Sequence, residues 1–212
     1  MFSVRLTFEK SGPAAYISHL DLMRCFQRAF RRAHLPVRYS QGFNPHIYLS
    51  ILAPLSTGFE SRGDLADFDL LEAFEYEDIV ARLNSTLPPG LRAVSAALPV
   101  KKPGAIAWAS YRIAYPAGDA AAMAACLAEP VAVIKKSKRG RREITLQDYI
   151  HSIAFGQQGE SVVCQAVLKA GDDPLNPIYI THGLRDAGLL GEDCVPLYAR
   201  EALLDVSHEK FC

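Results

Sequence analysis

YISHLDLMRCFQRAFRRAHLPVRYSQGFNPH, residues 16–46, decides how the first half of this chain folds. Ser18 is a good helix N-cap and Asp21 stands three residues on in capping-box position, so a helix is expected from about His19. Leu22, Met23, Phe26, Ala29, Phe30 and Ala33 follow at three- and four-residue steps and make one apolar stripe. At 100° per residue, Arg24, Arg28, Arg31 and Arg32 fall on the opposite side, within an arc of about 100°. Leu35-Pro36 ends the helix, because the residue before a proline is pushed out of the α region. Gly42, Asn44 and Pro45 then crowd turn chemistry into Ser40–His46.

Outward from this stretch the pattern is strand-like. Val4, Leu6 and Phe8 alternate with polar neighbours before it, and Ile47, Leu49 and Ile51 resume a strand after it. Leu65, Phe68 and Leu70 mark another strand, residues 75–87 a second helix stopped by Pro88-Pro89-Gly90, and residues 91–100 a last strand. The order β-α-β-β-α-β is that of a ferredoxin-like unit. Lys101-Lys102-Pro103-Gly104 reads as a linker. Beyond it come a strand at Tyr111–Tyr115, an alanine-rich helix at residues 120–128 and hairpin strands at residues 131–134 and 143–146. A strand at residues 161–168, a helix started by Asn176-Pro177 and stopped by Gly188, and a strand at residues 195–204 complete the half. The expected fold is therefore α+β, with two tandem ferredoxin-like units of antiparallel sheet. The first spans residues 1–100, the linker 101–106 and the second 107–212.

With 212 residues, half of them hydrophobic, each half can bury a core. The formal net charge is zero, so any affinity for a polyanion must come from local charge. No apolar run reaches the ~20 residues that cross a bilayer, and MFSVRLTFEK lacks the h-region of a signal peptide. The five cysteines are scattered and never spaced C-x-x-C, which points to reduced thiols in a cytoplasmic protein.

Two basic features stand out. The arginine side of the first helix lacks the interleaved acids that usually pair at i,i+4. Between the hairpin strands lies KKSKRGRR, with Lys135, Lys136, Lys138, Arg139, Arg141 and Arg142 on what reads as a flexible loop. Both suit contact with a phosphate backbone, which supplies salt-sensitive affinity without sequence readout. Residues 60–78 are acidic, eight acids to one arginine, and partly suit a helix N-terminus. His19, Tyr39 and His46, with Asp21 and Ser40, would form a general acid–base set if the loop folded back to the helix start. No Walker loop, nucleophile elbow or HExxH is present, and two histidines under-supply a metal site, so no metal ligands are assigned.

The stretch 16–46, followed by LSILAPLSTGFES and DLADFDL, resembles a radical-SAM-linked family of bacterial proteins of unknown function. Its members stand alone or are fused behind a B12-binding-type radical SAM protein. The likeness is specific over residues 2–72 and looser at LQDYIHSIAF and LNPIYITHGLRDAGLL. Its motif positions are Tyr16, Ser18, His19, Leu20, Asp21, Arg24, Arg32, Tyr39, Ser40, Gly42, Phe43, Asn44, Pro45 and His46, with Ile47 departing from the expected proline. The resemblance implies a radical SAM partner and assigns no catalytic residue. The chain has no C-x-x-x-C-x-x-C motif, so an iron–sulfur cluster and S-adenosylmethionine belong to the partner and no cofactor to this chain. The tandem order with a basic hairpin is also similar in architecture to CRISPR repeat-processing endoribonucleases. The favoured expectation is an accessory module that binds RNA and presents it for tRNA or rRNA modification. One alternative is a metal-independent endoribonuclease or RNA-modifying enzyme using His19, Tyr39 and His46. The other is a module that docks the radical SAM protein through Ser40–His46 without nucleic acid.

Overall fold

The computed structural model describes residues 1–137 and 140–211. They form a mixed α+β structure, mostly antiparallel sheet, that divides into two compact units. The first holds residues 1–105 and the second Ile106–Glu209. Lys210 and Phe211 group with the first unit, not with the second as the sequence suggested. Phe211 is buried and lies under the Arg5 guanidinium, 4.8 Å from carbon to ring centre.

In the first unit the order is β1 (Phe2–Lys10), α1 (His19–Arg32), β2 (Leu49–Leu52), β3 (Phe59–Leu70), α2 (Tyr76–Asn84) and β4 (Leu91–Ala97). The strands lie β4-β1-β3-β2, each pair antiparallel. Val4, Leu6 and Phe8 point to one side, where α1 covers them. Phe8 meets Phe26 edge-on at 5.0 Å and Phe30 meets Phe68 at 4.7 Å, so the apolar stripe of α1 is the centre of this core. Ile47 is left out of β2 and joins Tyr39 in an isolated bridge. Gly90, at φ +87°, makes the turn into β4; a Cβ there would sit 2.5 Å from the Ser11 carbonyl oxygen.

The second unit runs β5 (Trp108–Tyr115), α3 (Ala120–Ala128), β6 (Ala132–Ser137), β7 (Gly140–Thr145), β8 (Ile150–Gln158), β9 (Ser161–Lys169), α4 (Ile178–Asp186) and β10 (Leu197–Leu204). Its main sheet is β10-β5-β9-β8, and β6-β7 form a separate two-stranded sheet. β8 is the strand the sequence did not resolve. A register shift between Ile150 and Ser152 breaks its alternation. α4 begins at Ile178, whose N–H donates to the Asn176 side-chain oxygen at 3.0 Å, and ends before Gly188 at φ +72°. Thr181 of α4 bonds the hydroxyls of Tyr115 and Tyr198 at 3.2 and 2.7 Å, which places α4 on the buried face of the sheet. Gly183 lets the hairpin lie against α4, since a Cβ there would meet Val131 at 2.9 Å.

The sequence read Lys135–Arg142 as a flexible loop, and this needs correction. β6 continues to Ser137 and β7 starts at Gly140, with Lys135 opposite Arg142 and Lys136 opposite Arg141. The strand is held because the Lys136 N–H donates to the Tyr179 hydroxyl of α4 at 2.8 Å. Lys138 and Arg139 lie outside the described residues.

Candidate nucleic-acid interface

The N-cap of α1 forms as its sequence implies: the Asp21 N–H donates to Ser18 Oγ at 3.1 Å, and Ser18 Oγ donates to the Asp21 carboxylate at 2.7 Å. Arg24 closes on the same carboxylate at 2.9 Å. The Ser18 hydroxyl first, and then Arg24, hold the Asp21 carboxyl below its usual range. Ser18, Asp21 and Arg24 are thus occupied with one another at the helix start.

The remaining arginines of α1 are placed differently. Arg28, Arg31 and Arg32 are all exposed, and Arg28 and Arg32 make no hydrogen bond or ion pair among the described residues. Arg31 and Arg32 occupy the last turn, where a positive charge also suits the helix dipole. Arg31 Nε donates to the Tyr39 hydroxyl at 3.3 Å and so ties the C-terminal end of the helix to the loop that follows.

That loop is a small closed structure on its own stem. Arg38 N–H donates to the Asp69 carbonyl and Tyr48 N–H to the Arg38 carbonyl, at 2.9 and 2.8 Å, and Tyr39 bridges Ile47. Ser40 N–H donates to the His46 carbonyl at 2.7 Å, and the His46 N–H donates to Ser40 Oγ at 3.1 Å. Ser40 Oγ also lies 3.0 Å from His46 Nδ1. Between these ends Gln41, Gly42, Phe43, Asn44 and Pro45 are all exposed, and Phe43 is exposed completely. Gly42 takes φ +135°, a backbone that favours glycine. Exposed Tyr39 and Tyr48 flank the stem, with the Arg38 guanidinium 4.8 Å above the Tyr48 ring.

The three groups named for an acid–base set do not form one cluster around a common point. Tyr39 and the Ser40–His46 pair share the loop stem. His19 stands at the opposite end of α1 from Arg31, about 18 Å along the axis at 1.5 Å per residue. His19 makes no hydrogen bond, ion pair or ring contact among the described residues. Tyr16 and Leu20 are exposed beside it. No group of three or more His, Cys, Asp or Glu that could hold a metal ion occurs among the described residues. The Cys25 thiol on α1 is pushed up by burial, which leaves it a poor nucleophile.

The basic hairpin splits by face, as a period of two requires. Lys135 and Arg142 turn toward Asp173, with Nζ and guanidinium each 2.5 Å from a different carboxylate oxygen. The Tyr149 hydroxyl donates to Asp173 at 2.7 Å, and its ring lies 4.6 Å from the Lys135 ammonium. Lys135, Tyr149 and Arg142 together hold the Asp173 carboxyl far below its usual range. Lys136 and Arg141, on the other face, are exposed. Beside Arg142 is an open depression shared with Thr145, Asp148, Tyr149 and Lys169; the Asp148 carboxylate on its wall makes it a poor anion site. The sequence carried no signal for Asp173, which is 31 residues from Arg142 and meets the hairpin only through the fold. Arg38 was likewise missed, since it lies off the helix that drew attention to the other arginines.

These features define a mixed α+β protein with one exposed surface of arginines and aromatic side chains on α1 and the loop after it. The chain belongs to the family described as an uncharacterized protein conserved in bacteria (DUF2344), which matches residues 3–177. No curated protein matches the chain in sequence. No helix among the described residues is long and apolar enough to cross a membrane.

Proposed function

We propose that this chain is an accessory RNA-binding module, built of two tandem ferredoxin-like units, that presents RNA to a radical SAM partner in the bacterial cytoplasm. The observation that carries the reading is the exposed Arg28, Arg31 and Arg32 of α1, tied through Arg31 and Tyr39 to a loop that exposes Phe43. Guanidinium groups that make no ion pair attract phosphates, and exposed rings offer faces for unstacked bases. The loop between them is held by its own hydrogen bonds, so it meets a ligand already shaped. Lys136 and Arg141 add two more exposed cations in the second unit.

The test is binding to a structured RNA across a salt series. Arg28→Glu with Arg32→Glu should weaken binding and flatten the salt dependence, with each lost phosphate contact removing about 0.7–0.9 from the slope. Binding unchanged by that pair, or absent at low salt, overturns the reading. The complete exposure of Phe43 favours one second reading, a docking site for the radical SAM protein. Co-purification that survives ribonuclease treatment and is lost in Phe43→Ala would select it.

A further inference from the structure

We infer that the helix-free face of the β10-β5-β9-β8 sheet is a second binding surface, for the bases of single-stranded RNA. This rests on the reading that the chain binds RNA, but it names a different site and a different form of the nucleic acid. Along β9, Val162, Cys164, Ala166 and Leu168 are buried on the side of α3 and α4, while Ser161, Val163, Gln165, Val167 and Lys169 remain partly or fully open. β5 repeats the pattern, with Trp108, Ser110, Arg112 and Ala114 on the open side. The registers Trp108↔Lys169 and Arg112↔Gln165 put these residues on the same face.

At one end of that face three rings meet. His151 stacks on His208 with centroids 3.6 Å apart and planes 23° from parallel. Trp108 lies 5.5 Å from His151 and 5.2 Å from His208. His151 sits at the register shift in β8 and is exposed, so one of its ring faces is open to a further stacking partner. His208 adopts φ +61°, and its buried Nδ1 has no hydrogen-bond partner among the described residues. Its ring is therefore placed by the stack and not by a polar contact.

The charge of the surface selects the ligand. β5, β8 and β9 contain Arg112, His151 and Lys169 and no carboxylate, and β10 adds the buried Arg200 and the half-buried Glu201. Arg112 and Lys169 make no ion pair among the described residues; Lys169 lies over the Tyr149 ring at 5.6 Å. Arg112 is four residues from Trp108 on the same face, about 13 Å at the rise of a strand. An aromatic stack on the same face as Arg112, with serine and glutamine beside it, fits a strand whose bases stack while a phosphate reaches the arginine. A duplex offers no unstacked base to such a surface. The same face in the first unit is unlike it, because Asp67 and Asp69 there neutralise Arg5 and Arg38.

Trp108 is the sole tryptophan in the chain, so its emission reports this site and no other. The full chain should show quenched Trp108 emission on addition of a short single-stranded oligoadenylate, and much less with the same strand annealed to oligouridylate. His151→Ala should weaken that response roughly five- to 160-fold, as loss of one base stack does. Arg112→Gln, which spares the stack, should weaken it less and flatten its salt dependence. Arg28→Glu with Arg32→Glu should leave the Trp108 response in place, which separates this surface from the one on α1. An unresponsive Trp108 at low salt overturns the inference, as does an affinity that neither His151→Ala nor Arg112→Gln changes. Duplex binding without a Trp108 change would also overturn it while leaving the α1 reading intact.

Discussion

Replacing Asp173 by asparagine removes the single carboxylate that holds Lys135 and Arg142 against the second unit. The Lys135 side chain is 8% exposed and the Asp173 side chain 42%. Removing one partner of a fully buried ion pair costs about 3–5 kcal/mol, whereas exposed pairs contribute about 0–1 kcal/mol. Here one partner is buried, the other is reached by water, and the Tyr149 ring still faces the ammonium after the change. A loss of roughly 1–2 kcal/mol follows. For a chain of this size that lowers the melting temperature by roughly 2–8 °C. Thermal melts of the two proteins across pH test both size and cause. Asp173 has a folded pKa below its unfolded value of about 3.9, so its contribution is present above that value and is lost as pH falls through the folded pKa. The gap between wild type and Asp173→Asn should be flat from about pH 5 to 8 and narrow below about pH 4. Equal melting temperatures at pH 7, or a gap that widens with acid, would refute the reasoning. Freeing the two cations should also steepen the salt dependence of RNA binding by about 0.7 per cation that reaches a phosphate.

Ser18→Ala removes the α1 cap and should cost about 1 kcal/mol in urea denaturation. Phe26→Ala opens the space between Phe8 and Phe30 and should cost about 3–5 kcal/mol, read as a lower urea midpoint. Gly90→Ala meets both a positive φ and the Ser11 carbonyl, so it should cost more than about 1 kcal/mol and appear as a lower melting temperature.

The sequence was most legible where local signals agreed. Ser18, the three- and four-residue apolar steps and Leu35-Pro36 all specify α1, and the four arginines lie exposed on the side opposite Phe26 and Phe30. β8 was illegible because the bulge at His151 breaks the period on which the reading depends. The hairpin was misread for a different reason. Lysine, serine and glycine are common loop formers, but Tyr179 and Asp173, distant in sequence, supply partners that extend the strands. Counting six cations in eight residues also overstated what faces solvent, since alternation turns Lys135 inward. The trio of Trp108, His151 and His208 comes from three separate segments and could be recognised only once the sheet was formed.

The internal closure of Ser40–His46 has a thermodynamic consequence. Its two ends are fastened to each other, through Tyr39–Ile47 and Ser40–His46, so a ligand need not fix the backbone of the loop on arrival. Association with this segment should therefore carry little of the unfavourable ordering entropy and heat-capacity change of coupled folding. The division of labour also frees the tip. Gln41, Phe43 and Asn44 take no part in fastening through their side chains among the described residues, so they can be exchanged to alter what is recognised while the frame beneath them stays intact.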